Sequence, residues 1–199
     1  MSETVIKKVL NVGGNTKAAP LPHQYAGYEN ILLDIDPSCS PDILCDAREL
    51  QSLEAKQFDS VFCSHNLEHY FHHDVPKVLA GFLHILKDDG FALIIVPDIW
   101  GAMRVAIEKD MDFEDDMLYM SPAGPVTVRD MLYSKAELVE SSGQHYWCHK
   151  TGFTAKTLVR HLQKAGFARI FGGARNFHVN ALAFKNEPGQ ELKTLWGLT

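Results

Sequence analysis

Phe58-Asp-Ser-Val-Phe-Cys-Ser-His-Asn-Leu-Glu-His69 reads as a buried strand, Ser60–Ser64, that stops on a polar turn rich in imidazole. A helix from about Val75 to Lys87 should follow. Its apolar positions Val75, Val78, Leu79, Phe82 and Leu86 recur at three- and four-residue intervals, with Asp74 as N-cap and Gly90 just past the end. The aliphatic run Phe91–Pro97 then supplies a second strand, so strand, helix and strand together predict a parallel crossover. Outward from this unit, further strands are expected at Val9–Gly13, Asn30–Asp34 and Ile43–Cys45 before it, and at Ala168–Gly172 and His178–Phe184 after it. The last two are joined by Gly172-Gly-Ala-Arg-Asn176, too short for a helical crossover, and should pair antiparallel. A second helix begins after Thr154, turns Leu158, Val159, Leu162 and Ala165 inward and ends at Gly166.

The expected fold class is therefore α/β: a doubly wound, mostly parallel, seven-stranded Rossmann-like sheet with an antiparallel C-terminal hairpin. With 199 residues, one domain over 1–199 is the expectation. Between Trp100 and Gly152 the pattern loosens into an insertion or lid at about 100–152, with a short helix near Met131–Val139 and an acidic run, Asp110–Asp116, read as a solvated face. Hydrophobic residues at 46% and charged residues at 22% are those of an ordinary folded domain. A net charge of −6 argues against nucleic acid as a partner, because that affinity rests on cations displacing counterions. The longest apolar run is far short of the ~20 residues of a membrane helix, and the N-terminus lacks the pattern of a secretion signal, so no membrane and a cytoplasmic location are expected. Cys39, Cys45, Cys63 and Cys148 have no CxxC spacing and are read as free, mostly buried thiols.

Candidate ligand-binding residues gather at the expected strand ends. Gly13-Gly14-Asn15 closes the first strand, where missing side chains let a ligand approach the backbone, and Asp34 ends the second about twenty residues later, where a carboxylate can accept ribose hydroxyls. These features are joined by Cys45-Asp46-Ala47, by the Phe58–His69 segment and by Leu86-Lys-Asp-Asp-Gly-Phe91. In this order the chain resembles the class I S-adenosylmethionine-dependent methyltransferases over residues 8–100. The resemblance resumes at His149-Lys-Thr-Gly-Phe-Thr154 and Ala165-Gly-Phe167. It is nearest to small bacterial members with a Leu-Asn-Val-Gly first strand. The resemblance implies S-adenosylmethionine as cofactor, S-adenosylhomocysteine as product, and a small-molecule acceptor such as a glycan or natural-product intermediate.

Carried across, it assigns Asn11, Gly13, Gly14 and Asn15 to the cofactor loop, Asp34 with Ile35 to the ribose, and Asp46 with Ala47 to adenine. Ser64 and His65 would face the methionine moiety and the methyl group. Two departures stand out: the family's leading acid is Asn11 here, and two of its glycines are Asn15 and Lys17. In addition, Ala18-Ala-Pro-Leu-Pro-His-Gln24 breaks the expected first helix.

His65-Asn-Leu-Glu-His69 also spells H-x-x-E-H, a zinc-peptidase pattern, but it follows a buried strand directly and Pro76 limits any helix through it, so no metal site is expected. His69 is read as a structural partner of its loop, and His72 and His73 as a solvated turn. Gln144-His-Tyr-Trp-Cys-His149 closes the insertion; His145, Tyr146 and Trp147 either wall an acceptor pocket or cover the core. Asp98, after the Phe91–Pro97 strand, is a candidate substrate contact by position. Because histidine titrates near neutrality, His65 and His149 are the candidate catalytic bases for a hydroxyl or amine acceptor. The expected activity is in-line methyl transfer. The alternatives are a catalytically silent methyltransferase-fold protein acting as a binding or regulatory partner and, fitting less well, a nicotinamide dehydrogenase.

Overall fold

The computed structural model describes residues 6–198. Strands β1 (Lys8–Val12), β2 (Glu29–Asp34), β3 (Ile43–Leu44), β4 (Phe58–Ser64) and β5 (Leu86–Pro97) run parallel. Helix α1 (Val75–Ile85) makes the crossover from β4 to β5. After α2 (Ile99–Glu108) come the short hairpin β6 (Met117–Ser121) and β7 (Gly124–Thr127), then α3 (Val128–Tyr133) and α4 (Ala136–Ser142). Helix α5 (Ala155–Ala165), the antiparallel pair β8 (Arg169–Arg175) and β9 (His178–Phe184), and α6 (Gln190–Leu195) complete the described chain. The main sheet has seven strands in the order β3-β2-β1-β4-β5-β9-β8. The chain reverses its direction across the sheet between β1 and β4, the crevice where open α/β sheets bind ligands.

Pleating sends alternate residues of each strand to opposite faces, and both faces are buried. Leu10, Val12, Val61, Cys63, Ala92 and Ile94 pack under α1 and α5 through Val78, Leu79, Phe82, Leu158 and Leu162. Val9, Phe91, Leu93, Leu182 and Phe184 point the other way, onto Tyr25, Leu192 and Trp196. Two long helices therefore cover one face. Where the prolines break the expected first helix, a 3-10 turn at His23–Tyr25 and α6 cover the other. Tyr25 is the plug there: its ring stacks 6.1 Å from Phe91, and its hydroxyl lies 3.1 Å from the buried Ser60 Oγ.

Several boundaries differ from the sequence expectation. Helix α1 ends at Ile85 rather than Lys87, because Leu86 is buried in register with Phe58 and begins β5 five residues early. Asp74 occupies the N-cap position without capping; its carboxylate is 3.3 Å from Arg48 Nη1 instead. Strand β3 stops at Leu44. The C-terminal hairpin turns at Asn176-Phe177, both with positive φ (51° and 63°), a two-residue turn whose twist matches the strands. Gly172 and Gly173 thus lie within β8 rather than in a linker. The expected helix at Met131–Val139 is two short helices separated at Ser134-Lys135. Cys63 alone is buried; Cys39, Cys45 and Cys148 are half-buried at strand ends and loops, and all four are free.

The insertion departs and returns at one point. Asp98 pairs with Phe153 in an isolated parallel bridge, and Ile99 N–H donates to the Phe153 carbonyl at 3.2 Å. It has its own small core of Ala102, Leu118 and Met131. Its acidic turn is exposed, with Asp112 Oδ1 accepting from the amides of Glu114 and Asp115. No helix among the described residues is long and apolar enough to cross a membrane.

Phe82 is fully buried between α1 and the sheet. Phe82→Ala should cost about 3–5 kcal/mol of stability in urea denaturation, the range for a buried phenylalanine that leaves a cavity. A loss below about 1 kcal/mol would show that this helix face is not packed as described.

Candidate functional site

The first cleft opens at the C-terminal ends of β1, β2 and β4, and its construction starts with the loop after β1. Gly13 has φ +66°, and a Cβ there would overlap the Asn66 side chain. A Cβ on Gly14 would likewise overlap the Asn11 side chain, which is buried beneath the loop. Asn11 thus holds the loop from below and does not line the cleft. Asn15 takes φ +56°, a left-handed conformation that asparagine tolerates better than other non-glycine residues, so it serves where glycine is usual. The Cys39 thiol donates to its side-chain oxygen at 2.9 Å.

This backbone presents two donors to Asp34. Asn15 N–H reaches Asp34 Oδ2 at 3.1 Å and Asp36 N–H reaches Oδ1 at 3.0 Å. The carboxylate is buried and fixed at the cleft wall with lone pairs to spare. Ile35 is exposed beside it.

Asp46 lies across the cleft from this loop, gripped by Arg48: Nη2 donates to Oδ2 at 2.6 Å and Nε to Oδ2 at 3.0 Å. Burial would raise the Asp46 pKa, but Arg48 outweighs it and holds the carboxyl below its ordinary value. Ala47 is buried. Tyr70 and Phe71 add aromatic surface, while Tyr146 and Trp147 lean in from the insertion. The cleft encloses about 190 Å³. That is below the ~300–1,000 Å³ of drug-sized ligand sites, so a larger ligand must extend into solvent or displace the insertion's aromatics.

His65 links this cleft to a second one. It is the first residue after β4, has φ +52°, and lines both. The second cleft, about 710 Å³, is walled by Tyr119, Met120 and Pro122 of the β6–β7 hairpin and by Phe177 and His178 of the β8–β9 hairpin. Tyr119 and Phe177 stack at 5.3 Å, and the His65 and His178 rings meet edge-on at 5.0 Å.

Of the residues singled out from sequence, Gly13, Asn15, Asp34, Ile35, Asp46, His65, Tyr146 and Trp147 line the first cleft together. Asn11, Gly14, Ala47 and Ser64 lie outside its lining. Asp98 is elsewhere, with its carboxylate against Gly101 at the start of α2. His145 is exposed and lines neither cleft. His149 is withdrawn beside Glu68 and His69. Arg48, Asn66, Tyr119, Phe177 and His178 were not singled out. Arg48 carried a usable signal, a cation two residues after Asp46, and Asn66 directly follows His65, whereas Tyr119, Phe177 and His178 reach the site only through long-range contacts.

Residues 10–94 match a family described as a methyltransferase domain. Similar solved structures include a SAM-dependent methyltransferase from Archaeoglobus fulgidus, with 16% identity and a TM-score of 0.55, covering 91% of this chain and 87% of that one. The PH0226 protein from Pyrococcus horikoshii OT3 has 14% identity and a TM-score of 0.53, covering 89% of this chain and 81% of that one. An O-methyltransferase family protein from Burkholderia thailandensis, at 12% identity and a TM-score of 0.52, is covered over 52% of its length by 92% of this chain. At these identities the likeness is one of fold. A search of the curated proteins finds no match.

Burial, and then neighbouring positive groups, hold His161 and His178 below the ordinary histidine range. The folded state therefore binds fewer protons than the unfolded chain as pH falls through ~6.5, and their stabilising effect, present above that pH, is lost below it. The melting temperature should fall between about pH 7.5 and 5.5, and His161→Gln should flatten that fall. Identical slopes in thermal melts of the two proteins would refute the assignment.

Proposed function

We propose that this chain, whose residues 10–94 match a methyltransferase domain and whose fold is that of S-adenosylmethionine-dependent methyltransferases of known structure, is itself a class I methyltransferase that methylates a small, flat acceptor held in the second cleft. The observation that carries this reading is the place of His65, at the end of β4 and on the wall of both clefts.

The first cleft suits S-adenosylmethionine on the chemistry of its donors. Asp34 keeps lone pairs for ribose hydroxyls after accepting two backbone amides, and Asp46 can accept from an adenine amino group with Ala47 behind it. Gly13 and Asn15 bring backbone to the cleft wall, and Tyr146 and Trp147 add aromatic surface that favours a sulfonium cation, whereas the Phe71 ring already faces Lys150 Nζ at 5.5 Å and stacks on His73. When bound, the cofactor supplies a methyl group already activated on positive sulfur.

The protein's own part is positioning and proton removal. Tyr119 and Phe177, stacked on each other, form one wall against which a planar acceptor lies and exclude water, and the His65 imidazole accepts the proton released as the acceptor's oxygen or nitrogen bonds to the methyl carbon. Of the two histidines considered as bases, only His65 reaches the clefts. The insertion over residues 99–152 serves as the lid, since it contributes Tyr146 and Trp147 to one cleft and Tyr119 to the other. Arg48's hold on Asp46 favours one other reading, a silent member of the fold that binds a partner without turnover.

Calorimetric titration should show S-adenosylmethionine and S-adenosylhomocysteine binding, with Asp34→Ala weakening both at least ~10-fold through loss of charge-assisted hydrogen bonds. No heat at millimolar ligand would sink the enzyme reading. With an acceptor in hand, His65→Ala should lower kcat ~10²- to 10⁴-fold, the worth of a general base; an unchanged kcat would remove His65 from the chemistry.

A further inference from the structure

We propose that Glu68, His69 and His149 form a binding site for a divalent transition-metal ion of the zinc class. Glu68 is 1% exposed, and among the described residues neither of its carboxylate oxygens has a hydrogen-bond partner. A carboxylate buried without a firm partner is unfavourable, and the one imidazole at its edge, His65 with Nδ1 3.5 Å from Oε1, is at the limit of hydrogen-bond length and positive only when protonated, so a further positive group is called for.

Its neighbours are arranged as ligands rather than as donors. His69 Nδ1 lies 3.1 Å from the Cys148 carbonyl, and His149 Nδ1 lies 3.0 Å from the Met131 carbonyl. A carbonyl only accepts, so each Nδ1 carries the proton and each neutral ring keeps its lone pair on Nε2. His149 Nε2 then faces Glu68 Oε1 at 3.9 Å, acceptor toward acceptor. Only a cation or an added proton between them makes that arrangement favourable. Backbone carbonyls on the far nitrogens are also how proteins orient metal-binding histidines.

One ligand atom from each of the three residues lies within 4.8 Å of the others. Bonds of about 2.0–2.2 Å to a tetrahedral ion place ligand atoms roughly 3.3 Å apart, so the side chains need to close by about 1 Å. The backbone is already joined: the Glu68 carbonyl accepts from the amides of Lys150 and Thr151 at 2.8 and 3.2 Å. Two imidazoles and a carboxylate suit Zn²⁺ or Co²⁺ and leave a position for water. His65 Nδ1 is 3.5 Å from Glu68 Oε1, at the edge of hydrogen-bond length, which puts the ion beside the residue that lines both clefts. The linear H-x-x-E-H reading does not apply, because His65 has left-handed backbone and Leu67–His69 is a 3-10 turn; the third ligand comes from 80 residues along the chain.

The test is independent of cofactor binding. Untagged, chelator-treated protein titrated with Zn²⁺ by calorimetry and with Co²⁺ by visible absorption should take up one ion and show cobalt ligand-field bands. Glu68→Gln and His149→Gln should weaken uptake by at least ~100-fold, since losing a ligand costs no less than losing a partner behind one. His84→Gln, whose ring sits on the Leu53 carbonyl, should bind like the wild type. Circular dichroism checks that each variant is folded. No uptake by the wild type at millimolar metal, or equal uptake by folded Glu68→Gln, overturns the proposal. So does a doubly protonated His149 at neutral pH in ¹⁵N spectra of metal-treated protein, which would show a proton in the ion's place.

Discussion

The Asn66 side chain lies where Gly13 would carry a Cβ, so β1 can pass into its loop only with glycine there. That contact brings together the ends of β1 and β4, parallel neighbours at the point where the sheet reverses its strand order. Beside it stand the left-handed backbone at Gly13, Asn15 and His65 and the Asn15 amide that, with the amide of Asp36, holds Asp34. The loop departs from the methyltransferase pattern it resembles without losing this arrangement. Asn11 fills the space left by Gly14, and Asn15 adopts the conformation for which glycine is usual.

A second constraint acts through Glu68. Its carbonyl ties the turn after β4 to residues 150 and 151, while its carboxylate is sealed among His65, His69 and His149. The insertion, leaving at Asp98 and rejoining at Phe153, is thereby anchored to the sheet next to the clefts it walls. Buried charge is more often tolerated for what it specifies than for what it stabilises. Here it gathers residues from the two histidine-rich segments, His65–His73 and His145–His149, at one place.

The strands and the first cleft were largely legible in the sequence because their signals are local. Aliphatic runs mark strands buried on both faces, and Gly13, Asp34 and Asp46 sit at strand ends that short range alone identifies. The misread boundaries were those where a distant partner outweighed a local preference. Leu86 left its helix to pair with Phe58, and the final hairpin turned at Asn176-Phe177, although two glycines offered an earlier bend. The second cleft was not legible at all, since Tyr119 and Phe177 are 58 residues apart and meet only when the insertion folds back onto β9.

By itself, then, the sequence determined a seven-stranded, mostly parallel α/β sheet and a ligand crevice at its carboxyl edge, because hydrophobic periodicity and turn chemistry act over a few residues. Tertiary structure decided what each histidine does. His65 went to the junction of two clefts, His69 and His149 went to Glu68, and His145 went to solvent. An imidazole's role depends on which carbonyl, carboxylate or ring the fold sets against each nitrogen, and those partners come from segments tens of residues away.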